Sequence, residues 1–146
     1  MKVLMIPSWY STPQMPVLGS FFKEQAEALA ALGVEMAVLY TDVGRGNPNA
    51  GILREVVNGV LTYRYIRPNL TPGWERGRAF QRTQMLRKLY RLLVEEWGRP
   101  DVVIMVSPAL FSTAIAMLRA RFSPRKPVVN IWVQDIYSLG ITETGM

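Results

Sequence analysis

The chain contains no cysteine and no histidine. Without them it cannot build a disulfide, a thiolate nucleophile or a Cys/His zinc site. A Ser-His-Asp triad and any imidazole base are excluded for the same reason. Chemistry is left to carboxylates, backbone N–H groups, lysine, arginine, tyrosine and hydroxyls, and no metal site is expected. Two common phosphate-binding signatures are also missing, the G-x-G-x-x-G fingerprint and the Walker loop. No apolar run approaches the roughly 18 residues needed to cross a bilayer. The opening stretch from Met1 to Pro7 is too short for the core of a secretory signal. A cytoplasmic protein is therefore expected. Internal repeats and low-complexity tracts are absent as well.

What is present suits one compact domain. The chain has 146 residues, of which 49% are hydrophobic and 19% charged. That is enough apolar material to bury a core and too much for a disordered segment. The net charge of +6 favours anionic partners: phosphates, an acidic membrane face or nucleic acid. Much of it is concentrated in Arg76, Arg78, Arg82, Arg87, Lys88 and Arg91, a stretch with no acid between its ends.

The order of elements is legible from pattern. Residues 3–6 form a short apolar run closed by Pro7, as in a strand buried on both faces. Residues 8–18 hold two prolines and several hydroxyl residues, and read as loop. A helix is predicted from Gly19 or Ser20 to Leu32, with Phe22, Ala26 and Leu29 on its inner stripe and Gly33 as its stop. Residues 34–40 return as a strand, completing a unit of βαβ size. Residues 41–51 read as loop. A hairpin is predicted over 54–57 and 60–66, turning at Asn58-Gly59, where both residues accept positive φ. After a loop at 67–77, a long helix is expected over 78–97, with Ala79, Thr83, Leu86, Tyr90, Leu93 and Trp97 inward. A strand at 101–106, a helix at 109–121 and a strand at 128–133 follow, then a polar tail. Alternating strands and helices predict an α/β fold, a single Rossmann-like domain with a mostly parallel sheet flanked by helices, plus a small β-hairpin.

Open parallel sheets bind ligands beyond the carboxyl ends of their strands. Three segments fall there. Gly19 and Ser20 start a helix whose first N–H groups can meet a phosphate, or the glycine simply permits a sharp turn. Ser107-Pro108 is a normal helix start, and capping is its simplest role. Gln134 and Asp135 follow a strongly apolar strand, so Asp135 either caps the next segment or faces the cleft. The pair Trp9-Tyr10 can stack on the apolar faces of sugars, or plug the core beneath the loop. On the long helix, Arg87, Lys88 and Arg91 lie opposite the apolar stripe, either solvated or touching anionic lipid headgroups. Nucleic acid is disfavoured, because the arginines are not interleaved with stacking aromatics.

Taken in order, several of these segments resemble glycosyltransferase family 4. They are Pro7-Ser8-Trp9-Tyr10, Pro16-Val17-Leu18-Gly19-Ser20-Phe21-Phe22, Glu24-Gln25-Ala26-Glu27-Ala28-Leu29 and Leu32-Gly33. The Asn58-Gly59-Val60 turn, Pro100-Asp101-Val102-Val103, Ser107-Pro108 and Val133-Gln134-Asp135-Ile136-Tyr137 continue the likeness, toward the branch that builds polysaccharide repeats on lipid carriers. Two positions depart from the family: Gly33-Val34 stands where Gly-His is common, and Leu18-Gly19 where Gly-Gly is often found. The resemblance covers the first half of a two-lobed GT-B enzyme. It implies transfer of a sugar from a nucleotide-sugar to a glycan or lipid-linked acceptor, with retention and without a metal. Its C-terminal nucleotide-sugar domain, with the glutamate-bearing motif, has no counterpart in these residues. On that likeness Gly19 and Ser20 would contact the donor diphosphate. Asp135 would be the catalytic group at the reacting centre, and Trp9, Tyr10, Ser107 and Gln134 would line the acceptor side. The 146-residue chain is then expected to be inactive alone, at most peripheral to the inner membrane face. The competing expectation is a stand-alone Rossmann-like or flavodoxin-like binding or regulatory domain without catalysis.

Overall fold

A computed structural model describes residues 1–42, 51–66, 78–106, 122, 124 and 126–133. Its elements, in chain order, are β1 (Lys2–Ile6), α1 (Ser20–Ala31), β2 (Glu35–Asp42), β3 (Gly51–Val57), β4 (Val60–Ile66), α2 (Arg78–Trp97), β5 (Val102–Val106) and β6 (Val128–Trp132). Among the described residues six strands form one sheet in the order β3-β4-β2-β1-β5-β6. Every neighbouring pair is parallel except β3 with β4. The parallel strands run outward from β1 in both directions, which is the doubly wound Rossmann-like arrangement. The expected helix at 109–121 and the polar tail lie outside the described residues.

Two cores fill the two faces. On one, Phe22 and Ala26 of α1 pack with Val3, Met5, Met36, Val38, Tyr40 and Val60. On the other, Leu89 and Leu93 of α2 pack with Leu4, Ala37, Leu39, Leu61, Val103 and Met105. The alternation follows from strand geometry, since successive side chains point to opposite faces. The central strands are buried on both sides, so they read as continuous apolar runs rather than alternating ones. On α2 the stripe is centred on Leu89 and Leu93, both fully buried. Leu86, Tyr90 and Trp97 flank it, partly buried. Leu89 was missing from the predicted stripe, although a period of 3.6 places it between Leu86 and Leu93.

The Asn58-Gly59 turn has both residues at positive φ, 50° and 78°, the conformation that a two-residue hairpin of right-handed twist requires. The hairpin is anchored on both sides of the sheet. At its tip the Asn58 side-chain amide donates to the Glu27 carboxylate at 3.0 Å. On β3, Arg54 Nε donates to both Glu96 carboxylate oxygens at 2.8 and 2.9 Å, and Arg54 Nη2 and the Tyr63 hydroxyl donate to the same carboxylate. Three elements thus meet at Glu96. Those hydrogen bonds, Arg54 first and Tyr63 second, hold the Glu96 carboxyl down at about 2.

The amino edge of the sheet is closed separately. The Lys2 N–H donates to the Asp101 carboxylate at 2.7 Å, and the Asp101 N–H donates to the Lys2 carbonyl at 2.9 Å. The Lys2 ammonium reaches the Trp97 carbonyl and lies 5.4 Å from the Trp97 ring centroid. These contacts fix the start of β1 against the end of α2 and leave the carboxyl edge for other uses.

Candidate functional site at the carboxyl edge

β1, β5 and β6 finish nearly level: Ile6 pairs with Met105, and Val106 with Trp132. The strand order reverses between β1 and β5, so the crevice at that edge is the topological switch point where ligands bind in sheets of this kind. One side chain bridges it. Pro7, the residue after β1, has no N–H to extend the ladder. Ser8 then donates its hydroxyl to the Val106 carbonyl at 3.2 Å. Ser8 is only 6% exposed, so a buried carbonyl that would otherwise lack this donor is satisfied from the neighbouring strand.

The segment from Trp9 to Leu18 is internally bonded. Thr12 and Met15 exchange backbone hydrogen bonds at 3.3 and 3.0 Å, and the Ser11 hydroxyl donates to the Pro16 carbonyl at 2.9 Å. Tyr10 roots the segment in the core, 7% exposed, its ring centroid 5.1 Å from that of Tyr40. Burial, and after it the charge of Glu27, raises the Tyr10 hydroxyl above its ordinary pKa. Trp9 beside it is half-buried.

Gly19 precedes α1 in the left-handed conformation, with φ of 72°. A Cβ there would lie 2.7 Å from the Trp9 carbonyl carbon and oxygen and 2.9 Å from the Tyr10 Cα. The space a side chain would occupy is therefore taken by the chain's own backbone. The Ser20 N–H donates to the Val17 carbonyl at 3.3 Å, and α1 has no side-chain cap. Across the edge, Phe21 and Phe22 meet Trp132 of β6 edge-on, with centroids 5.9 and 5.4 Å apart. Those ring contacts bring the start of α1 to the end of β6.

Trp9, Tyr10, Gly19 and Ser20 therefore gather at the edge where β5 and β6 end. Ser107, Gln134 and Asp135 lie outside the described residues. Arg87, Lys88 and Arg91 are exposed on α2, which covers the opposite face of the sheet from α1. Sequence reasoning passed over Ser8, Phe21 and Trp132. A signal existed for Phe21, a large aromatic set off the 22-26-29 stripe. For Ser8, a hydroxyl directly after a strand-ending proline was the clue. Among the described residues no helix is long and apolar enough to cross a membrane.

Comparison with known families finds that a model of the glycosyl transferase 4-like domain matches residues 18–142. Comparison with curated proteins returned no match.

Proposed function

This chain belongs to the glycosyl transferase 4-like domain family, and we propose that it is the acceptor-side lobe of a two-lobed GT-B glycosyltransferase. In this reading it moves a hexose, with retention and without a metal, from a nucleotide-sugar to a glycan or lipid-linked acceptor in polysaccharide synthesis on the cytoplasmic side of a membrane. The observation that carries the proposal is the convergence at the switch point. The loop rooted by Tyr10, the start of α1 at Gly19, and the ends of β5 and β6 all reach one edge of the sheet.

The roles follow from position. Covalent geometry keeps Ser107 one residue from the end of β5, and Gln134 and Asp135 two and three residues from Trp132. Asp135 supplies a carboxylate at the reacting centre, where a correctly placed polar group acts on charge that develops during transfer. Ser107 and Gln134 hydrogen-bond acceptor hydroxyls. Gly19 and Ser20 lie at the donor diphosphate, with the α1 dipole aligned for an anion, although the Ser20 N–H itself is held by the Val17 carbonyl. Trp9, half-exposed, offers ring surface to the acceptor, while Tyr10 supports it from beneath. The nucleotide is held mainly by a second lobe that these residues do not supply.

The test is Asp135→Ala in the complete enzyme, read as transfer of radiolabelled sugar to acceptor. We expect a loss of at least about 100-fold in kcat, the scale of a positioned catalytic or electrostatic group, with an unchanged melting temperature. Retained activity removes the role of Asp135. Sugar transfer by the 146-residue chain alone would remove the requirement for a second lobe.

A further inference from the structure

The carboxyl edge carries an apolar surface that the core does not explain. Phe22, Ala26 and Leu29 are the inward stripe of α1, yet Phe21 remains 38% exposed beside them. Leu18 and Val17, just before Gly19, are 41% and 84% exposed. Solvent-facing positions at the start of a helix ordinarily carry polar groups, whereas here three apolar side chains within five residues are exposed. The Phe21 ring stands at 74° to the half-buried Trp132 ring, 5.9 Å away. Phe22 presses edge-on against the same indole from the core side. Trp132 is thus held by a buried neighbour while Phe21 completes an aromatic corner open to solvent.

We propose that Phe21 and Trp132 form a stacking subsite for a pyranose ring of the acceptor. The subsite rests on the transferase reading and extends it to two residues. The chemistry fits a sugar better than a free anion. The flat C–H face of a pyranose matches an aromatic surface, and its hydroxyls stay available to polar groups around the rim. Lys23, the nearest basic residue along α1, faces Glu27 at 4.0 Å, so the corner is apolar rather than cationic. The Ser20 hydroxyl, half-buried and one residue from Phe21, is a polar neighbour of the kind a sugar hydroxyl needs. Of the two loop aromatics near this edge, Tyr10 is committed to Tyr40 in the core and cannot present its face, while Trp9 is half-buried.

The test uses saturation-transfer NMR on the full-length protein with a panel of methyl hexopyranosides. Wild type, Phe21→Tyr and Phe21→Leu are compared, each checked for folding by its melting curve. Saturation of the ring C–H protons of at least one glycoside is expected in wild type and in Phe21→Tyr. Phe21→Leu should weaken its binding about tenfold, equivalent to ~1.4 kcal/mol, the scale of one aromatic contact. Phe21→Leu keeps apolar bulk, so equal saturation in that variant overturns the stacking subsite. So does the absence of saturation by every glycoside in wild type. A glycoside that binds through Phe21 to a protein with no transferase activity sustains the subsite and removes the enzymatic reading.

Discussion

Gly19 joins two requirements at one atom. Its φ of 72° disfavours any L side chain, and the direction of its missing Cβ is blocked by the Trp9 carbonyl at 2.7 Å. The obstruction is backbone, so it cannot rotate away as a flexible side chain could. Gly19→Ala should therefore destabilise the protein by ~1–3 kcal/mol, through strain and displacement of the first loop. Urea unfolding of the two proteins measures it, and equal midpoints would show that the loop and α1 are not locked together there. The same contact revises what this glycine is for. From sequence, a glycine at a helix start reads first as a tight turn and only with further context as a ligand approach. The structure adds a third element, a seat for the Trp9-Tyr10 backbone. No residue pattern along the chain could reveal it, because the contact joins segments whose folding brings them together.

At the scale of elements, the hairpin and α2 depend on one another through Glu96. The carboxyl is held at about 2, against 4.5 for the free group. A carboxylate whose folded pKa is depressed contributes stability that is complete above the unfolded value and is lost as pH falls through the folded one. Wild type should accordingly lose stability between pH about 4.5 and about 2 through this group. Glu96→Gln should lack that component, so the two proteins differ at neutral pH and converge in acid. Denaturant titrations across pH check this, and a gap of constant size from pH 7 to pH 2 would refute it. The carboxylate is exposed, so added salt should narrow the difference. Most of this architecture was readable beforehand. The βαβ opening, the Asn58-Gly59 turn and the span of α2 follow from local pattern, because apolar period and turn chemistry are short-range properties. Three details were not local. β3 starts at Gly51 rather than at residue 54 because its ladder with β4 continues through Leu53 and Ile52 to the Gly51–Ile66 pair, a length set by the partner strand. The period of α2 admits both Leu89 and Tyr90 to its stripe, and the sheet sets the helix rotation that buries Leu89 fully and Tyr90 in part. The Glu96 staple joins residues 42 and 33 positions apart, a distance over which periodicity is silent. In the site, the position of Gly19 at the helix start and a plug from the Trp9-Tyr10 pair were readable, whereas which of the two rings fills the core and the Ser8 bridge needed the sheet order.

For the whole molecule, the sheet separates two unlike surfaces by face. α1 and the first loop belong to the face that ends at the switch-point crevice, while α2 lies on the other. There the burial of Leu89 and Leu93 turns Arg87, Lys88 and Arg91 outward, and all three are exposed. With a net charge of +6, that face is suited to an anionic surface, and acceptors attached to lipid would place the enzyme beside one. Each basic residue near such a surface contributes about 1 kcal/mol. Replacing all three with glutamate should weaken binding to phosphatidylglycerol vesicles by roughly 100-fold or more. Binding to neutral phosphatidylcholine vesicles should be weak for both proteins. The attraction should fade as salt shortens the screening length from ~10 Å at 0.1 M to ~3 Å at 1 M. Vesicle sedimentation gives the answer directly. Equal binding by wild type and the triple variant would mean that the α2 face is only solvated, leaving the crevice side to set where the protein works.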